Sequence, residues 1–191
     1  MGILLGIALL FLALGVGAVW LLRRSKADQA AAAVALEALA KTLNAQPASR
    51  PLTGTFKGRA CTISRFATYG SEGTSPYIRV HLALRTATTF ELYPQRSGLG
   101  ARLVNDVEVG DPEFDRWFIV RTNDRDKVAR ALAPDIRRTL IDWQRGGWFE
   151  RAWVRDDQLT YEVGCGLDSA ANVERVPAIL DVLARIAMAL E

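Results

Sequence analysis

From Gly2 to Leu22 every residue is apolar or glycine, and beyond Ala27 that uniformity gives way to an alternation of apolar and polar positions. At about 1.5 Å per helical residue the first run is roughly 31 Å long, the thickness of a bilayer's hydrocarbon core, which predicts a spanning helix. Trp20 suits the interfacial belt at its end, and Arg23, Arg24 and Lys26 form a positive flank directly after it. Such flanks stay on the cytoplasmic side, so the remainder of the chain is expected in the cytoplasm. A cleaved signal would carry its charges before the apolar run, whereas here Arg-Arg-Ser-Lys follows it. Gly2, Gly6, Ala13 and Gly17 fall on one side of the span, a small-residue face that permits a weak homodimer by helix pairing.

The next stretch, Ala27 to Asn44, is rich in alanine and leucine, and Ala32, Leu36, Leu39 and Leu43 recur at helical spacing. That pattern predicts an amphipathic helix that packs on the domain and stops at Asn44 and Pro47. Leu52 to Phe56 and Arg59 to Phe66 read as a hairpin around Lys57-Gly58. Tyr77 to Arg85 reads as a strand with Ile78, Val80, Leu82 and Leu84 on one face and Tyr77, Arg79, His81 and Arg85 on the other. A three-residue loop at Thr86 to Thr88 would set Leu82 against Leu92, Leu84 against Phe90 and His81 against Tyr93. The outer face of that expected hairpin carries Arg79, His81, Glu91 and Tyr93, a candidate interaction face.

Gln95 to Glu113 reads as a long connection, Arg116 to Arg121 as a strand, and Asp124 as the cap of a helix holding Val128 and Leu132. Pro134 opens a further turn set with Ile136, Leu140 and Trp143 on its apolar side. Trp148 to Arg155 and Gln158 to Cys165 form a last hairpin around Asp156-Asp157, with Val154 beside Leu159 and Arg151 beside Glu162. Val173, Val176, Leu180, Leu183, Ala187 and Leu190 form the stripe of a C-terminal helix that begins near Asn172, close before Pro177. Hairpins without a βαβ rhythm predict an α+β domain with a mainly antiparallel sheet. The expected division is a transmembrane helix over 1–23, a juxtamembrane helix and linker over 24–51, and a soluble domain over 52–191.

The chain is half apolar and about a quarter charged, and its net charge of +3 comes from nearly matched, interleaved acidic and basic residues. That balance disfavours nucleic acid as a partner. Cys61 and Cys165 stand far apart with no C-x-x-C spacing, so they read as reduced thiols, joined by a disulfide only if the domain faced an oxidising compartment and their strands lay side by side. Any imidazole-dependent nucleophile would need His81, the one histidine, and no G-x-S-x-G turn accompanies it. H-E-x-x-H, P-loop and G-x-G-x-x-G patterns are absent. Asp106, Glu108, Asp111, Glu113 and Asp115 form an acidic stretch that fails the EF-hand pattern, since Asp111 stands where its glycine is needed. No catalytic, cofactor-binding or metal-ligating residue is predicted. Trp143, Trp148 and Trp153 cluster around Gly146-Gly147 and read as core packing.

The segment from Ala35 to Arg59, with Leu-Glu-Ala-Leu-Ala followed by Leu-Thr-Gly-Thr-Phe-Lys-Gly-Arg, resembles uncharacterised bacterial single-span, membrane-anchored proteins. The resemblance implies a bacterial, tethered domain and no particular activity. The sequence favours a non-enzymatic interaction or regulatory module of unidentified protein partner. An enzyme that uses carboxylates or an unrecognised pocket is the alternative.

Overall fold

The computed structural model describes residues 26–46, 51–70, 73–95 and 106–191. Among these residues eight strands form one antiparallel sheet: β1 (Leu52–Phe56), β2 (Arg59–Gly70), β3 (Gly73–Ala83), β4 (Phe90–Pro94), β5 (Asp106–Val107), β6 (Phe118–Thr122), β7 (Arg151–Arg155) and β8 (Gln158–Val163). Their order across the sheet is β1-β2-β3-β8-β7-β4-β6-β5. Five helices among the described residues accompany it: α1 over 26–42, α2 (Pro112–Trp117), α3 (Arg125–Ala131), α4 (Pro134–Arg145) and α5 (Ala170–Leu190). The fold class is α+β.

Alternation along the strands puts Leu52, Ile63, Val80, Leu82, Phe90, Leu92, Val120, Leu159 and Tyr161 on one face, all buried. The helices stand over that face. α5 lies on β3 and β8, α3 packs on α5, and Trp143 of α4 meets Tyr161 edge-on at 5.7 Å. Tyr161 donates its hydroxyl to the Trp148 carbonyl, which satisfies a phenol whose burial pushes its pKa well up. α1 belongs to the same core, since Leu39, Ala40 and Leu43 are buried in it. Its end fits against β1 because position 54 is glycine: a Cβ there would collide with the Leu43 carbonyl oxygen and lie 3.0 Å from Ala45 Cβ. The Leu43 carbonyl accepts from Thr55 N at 2.7 Å, which closes part of the sheet's outer edge.

Two tight turns agree with expectation. Lys57 and Gly58, and again Asp156 and Asp157, take positive φ, the pairing of a type I′ hairpin. The second hairpin has the expected register, Val154 opposite Leu159 and Arg151 opposite Glu162.

Three expectations are corrected. β3 and β4 are not a hairpin: β3 pairs with β2 and β8, β4 with β7 and β6, and His81 faces Thr62 and Thr160 instead of Tyr93. Two-residue periodicity fixes which side a residue faces but not which strand lies beside it. The connection after Gln95 contains β5 and α2, and α2 occupies Arg116 and Trp117, so the following strand begins at Phe118. Asp111 caps α2 by accepting from Glu113 N and Phe114 N, with Pro112 at its first turn. α5 starts earlier than expected, capped by Ser169 with Asn172 inside it, and Pro177 sits within the helix. Ten buried residues on that helix hold it through the missing amide. Cys61 and Cys165 do not sit on neighbouring strands, because β3 separates β2 from β8 and Cys61 is level with Leu82 and Leu159. Both are free. No helix among the described residues is long and apolar enough to cross a membrane. The expected span over 2–22, with Gly2, Gly6, Ala13, Gly17, Trp20, Arg23 and Arg24, lies outside the described residues. Lys26 is exposed in α1.

The end of α5 is pinned from two sides. Arg59 forks onto the Glu191 carboxylate at 2.5 and 2.6 Å, and the Arg85 amide donates to it at 3.0 Å. The Arg59 hydrogen bonds, aided by that amide, pull the Glu191 carboxyl from 4.5 down to about 2. A depressed carboxyl stabilises the fold above its unfolded value and ceases to do so as pH falls through its folded one. Glu191→Gln should therefore lower the melting midpoint by a constant amount above about pH 5, and that difference should vanish between pH 4.5 and about 2. Melts of both proteins across this range check it.

Candidate functional site

None of the described helices packs on the second face of the sheet. In register across it run Thr53, Thr62, His81, Thr160, Trp153, Glu91, Arg121 and Asp106, one residue from every strand. A neighbouring row holds Ser64, Arg79, Glu162 and Arg151. The inter-strand hydrogen bonds of the sheet thus place these side chains at fixed spacings, about 4.8 Å apart from strand to strand.

Glu162 lies at the centre with its side chain 3% exposed. Arg79 binds it through Nε at 2.7 Å and through Nη2, and Arg151 binds its other oxygen through Nε. Rings lie against both guanidiniums. Arg79 lies 4.3 Å from the Phe66 centroid and 5.8 Å from Trp153, and Arg151 lies 4.4 Å from Trp153. Phe66 is stacked in turn on Tyr77 at 5.2 Å. A continuous stack of Tyr77, Phe66, Arg79, Trp153 and Arg151 therefore crosses the face. Farther along, Tyr93 donates to Glu91 at 2.9 Å, Arg121 binds Asp106 at 2.8 Å, and the Arg121 guanidinium is 5.6 Å from the Tyr93 ring.

Arg79, His81, Glu91 and Tyr93 do lie on this one face, but in two pairs on β3 and β4 with β8 and β7 between them. The residues that fill the gap are Glu162, Thr160, Arg151 and Trp153. The Arg151–Glu162 pairing was legible in the last hairpin, and what the sequence lacked was a sign that β8 runs beside β3. Trp153 also parts from the other tryptophans. Trp143 and Trp148 pack against the core, and Arg175 covers Trp148 at 4.0 Å.

His81 holds Thr160 Oγ1 at 2.9 Å through Nδ1. Burial and then the Arg79 charge lower its pKa from the ordinary histidine value, against the pull of Glu162, which favours the neutral ring. The acidic stretch serves the local fold. Asp115 accepts from the amides of Val109, Gly110 and Asp111 at 3.0 to 3.2 Å, Asp111 caps α2, and Glu113 binds Arg145 at 2.8 Å. Among the described residues no three His, Cys, Asp or Glu side chains converge as a metal site would require. Hollows of about 400, 300 and 160 Å³ lie beside the acidic loop, around Arg59 and Glu191, and against Trp143 and Trp148. The histidine and the arginine-aromatic stack lie outside all three.

No protein-family model and no curated protein matches the chain. Among solved structures, the crystal structure of the mycobacterial trehalose monomycolate transport factor A, TtfA, is similar over 73% of this chain and 70% of that one, with 15% identity and a TM-score of 0.44.

Proposed function

We propose that the chain is a non-enzymatic interaction or regulatory domain of a bacterial cell, tethered to the membrane through residues 2–22, with the sheet face that none of the described helices covers as the binding surface. The observation that carries this reading is the stack of Tyr77, Phe66, Arg79, Trp153 and Arg151 on a sheet face that none of the described helices covers. Tryptophan, tyrosine and arginine are the residues that dominate binding energy at protein interfaces, and here they are held in place by the sheet before any partner arrives. The carboxylates fit this reading better than carboxylate catalysis, since Glu162, Asp111, Asp115 and Glu113 are each engaged by arginines or backbone amides. A general acid or base needs a carboxylate within reach of substrate and tuned toward the working pH.

Site-specific photocrosslinking in cells tests the face. A crosslinker at Ser64 or Ile119, on the uncovered side, is expected to capture a discrete protein, and one at exposed Arg138 on α4 is not. Trp153→Ala should abolish the capture while the domain still melts cooperatively. Equal capture from both sides would overturn the proposal. For the tether, a reporter fused after Glu191 is expected to be active in its cytoplasmic form and silent in its periplasmic one, as the flanking Arg23, Arg24 and Lys26 require. The reverse pattern would place the domain outside.

A further inference from the structure

We infer that the uncovered face receives an acidic segment of a protein partner, with a glutamate or aspartate side chain docking on the outward edges of Arg79 and Arg151. This deepens the binding reading above and rests on it. Two guanidiniums share the single carboxylate of Glu162, so this group of three carries a net positive charge, with Glu150 the next carboxylate acting on Arg151. Arg79 spends Nε and Nη2 on Glu162, and Arg151 spends Nε. Among the described residues, Arg79 Nη1 and both Arg151 Nη atoms make no hydrogen bond. The buried partner is the carboxylate, at 3% side-chain exposure, while Arg79 and Arg151 keep 32% and 43% of theirs. The open donors therefore belong to the more exposed members of an anchored group.

The rings make this an organised receptor instead of a pair of loose surface charges. Phe66 and Trp153 lie against the Arg79 guanidinium and Trp153 against that of Arg151, so a carboxylate meets donors whose side-chain freedom is already reduced. A fork of guanidinium N–H groups against a carboxylate gives charge-assisted, directional hydrogen bonds. Charge pattern selects the kind of partner. Glu91 and the Asp106–Arg121 pair share the face with the arginines, so signs alternate along it. A broad anionic headgroup layer would press on those carboxylates as well as on the arginines, whereas a short acidic segment can reach the arginine pair alone.

The test uses the full chain in a neutral detergent and fluorescence anisotropy with labelled hexaglutamate and hexalysine peptides at low salt. Hexaglutamate is expected to bind at least about tenfold more tightly than hexalysine. Arg151→Gln, and separately Arg79→Gln, should weaken hexaglutamate by about tenfold, and Arg151→Lys should fall between wild type and Gln. Glu162→Gln should tighten it, because that substitution removes the internal competitor and frees Nε donors. A gain of this sign cannot come from misfolding. N-acetylglutamate should displace the peptide at lower concentration than glycerophosphoglycerol, a phospholipid headgroup without its chains. The proposal is overturned if the two peptides bind alike, if Glu162→Gln weakens binding as the arginine variants do, or if glycerophosphoglycerol is the better competitor. It is equally overturned if sedimentation shows the chain self-associating through this face, with Arg151→Gln restoring the monomer. Loss of the crosslinked protein in Trp153→Ala together with no peptide preference would leave the binding surface standing and remove only the acidic partner.

Discussion

Leu183→Ala is expected to lower the unfolding midpoint by on the order of 10 °C, while Arg185→Ala, two residues along the same helix, should barely move it. Leu183 is 1% exposed in the stripe of α5 that lies on β3 and β8. Truncating such a side chain loses its burial and leaves a cavity, typically about 2 to 5 kcal/mol out of a total of about 5 to 15. Arg185 instead reaches Asp135 at 2.5 Å in a pair whose side chains remain 38% and 56% exposed. Solvent screens an ion pair of that kind, so little stability follows from it. Thermal melts of the two variants decide the matter. Equal, mild effects would mean that α5 is loosely attached and not a wall of the core.

The second large effect is expected from a single added methyl group. Gly54→Ala places a Cβ on the Leu43 carbonyl oxygen and within 3.0 Å of Ala45 Cβ. Neither neighbour is the free end of a flexible side chain. The carbonyl is held by Thr55 N at 2.7 Å, and Leu43 itself is fully buried, so relief requires lifting the end of α1 from β1. Overpacking of this kind costs about 1 to 3 kcal/mol, and here a hydrogen bond and part of the burial of Leu39 and Leu43 go with it. Hydrogen exchange supplies the specific readout, since the Thr55 amide should lose its protection along with the drop in midpoint. Gly58→Ala is the control: nothing lies within 4 Å of that position, and only its positive φ opposes the change. An unaltered Thr55 amide in Gly54→Ala would show that α1 is not seated on β1 as described.

These two sites mark how far the sequence could be read. The stripe of Val173, Val176, Leu180, Leu183, Ala187 and Leu190 was visible from spacing alone, and every one of those residues is buried. The Asp156-Asp157 hairpin was legible down to its register because its hydrophobic and charge pairings agreed. Gly54 was not legible, since a close approach between segments leaves no periodic trace. The β3–β4 pairing failed for a related reason. Thr86, Ala87 and Thr88 hold none of the glycine, asparagine or aspartate of a tight turn, which was the available sign that the chain arches elsewhere. It passes the β7–β8 turn, where Leu84 N donates to Asp157 O at 3.0 Å, and Thr89 and Asn123 then exchange hydrogen bonds at the start of β4. The candidate face was half legible, because alternation put Arg79, His81, Glu91 and Tyr93 on one side but could not supply Glu162, Arg151 and Trp153 between them.

The position of β7 and β8 in the sheet also orders events during synthesis. β1, β2 and β3 can form a meander from local contacts, and β4, β5 and β6 make a second group around β6. What joins the two halves is the last hairpin, whose β8 meets β3 across about eighty residues of chain. Until β7 and β8 are made, β3 and β4 lack their inner neighbours, the kind of bare edge that invites wrong partners. β7 and β8 follow both groups in the chain, and only with them in place can Glu162 lie under Arg79 and the sheet and its stack be complete.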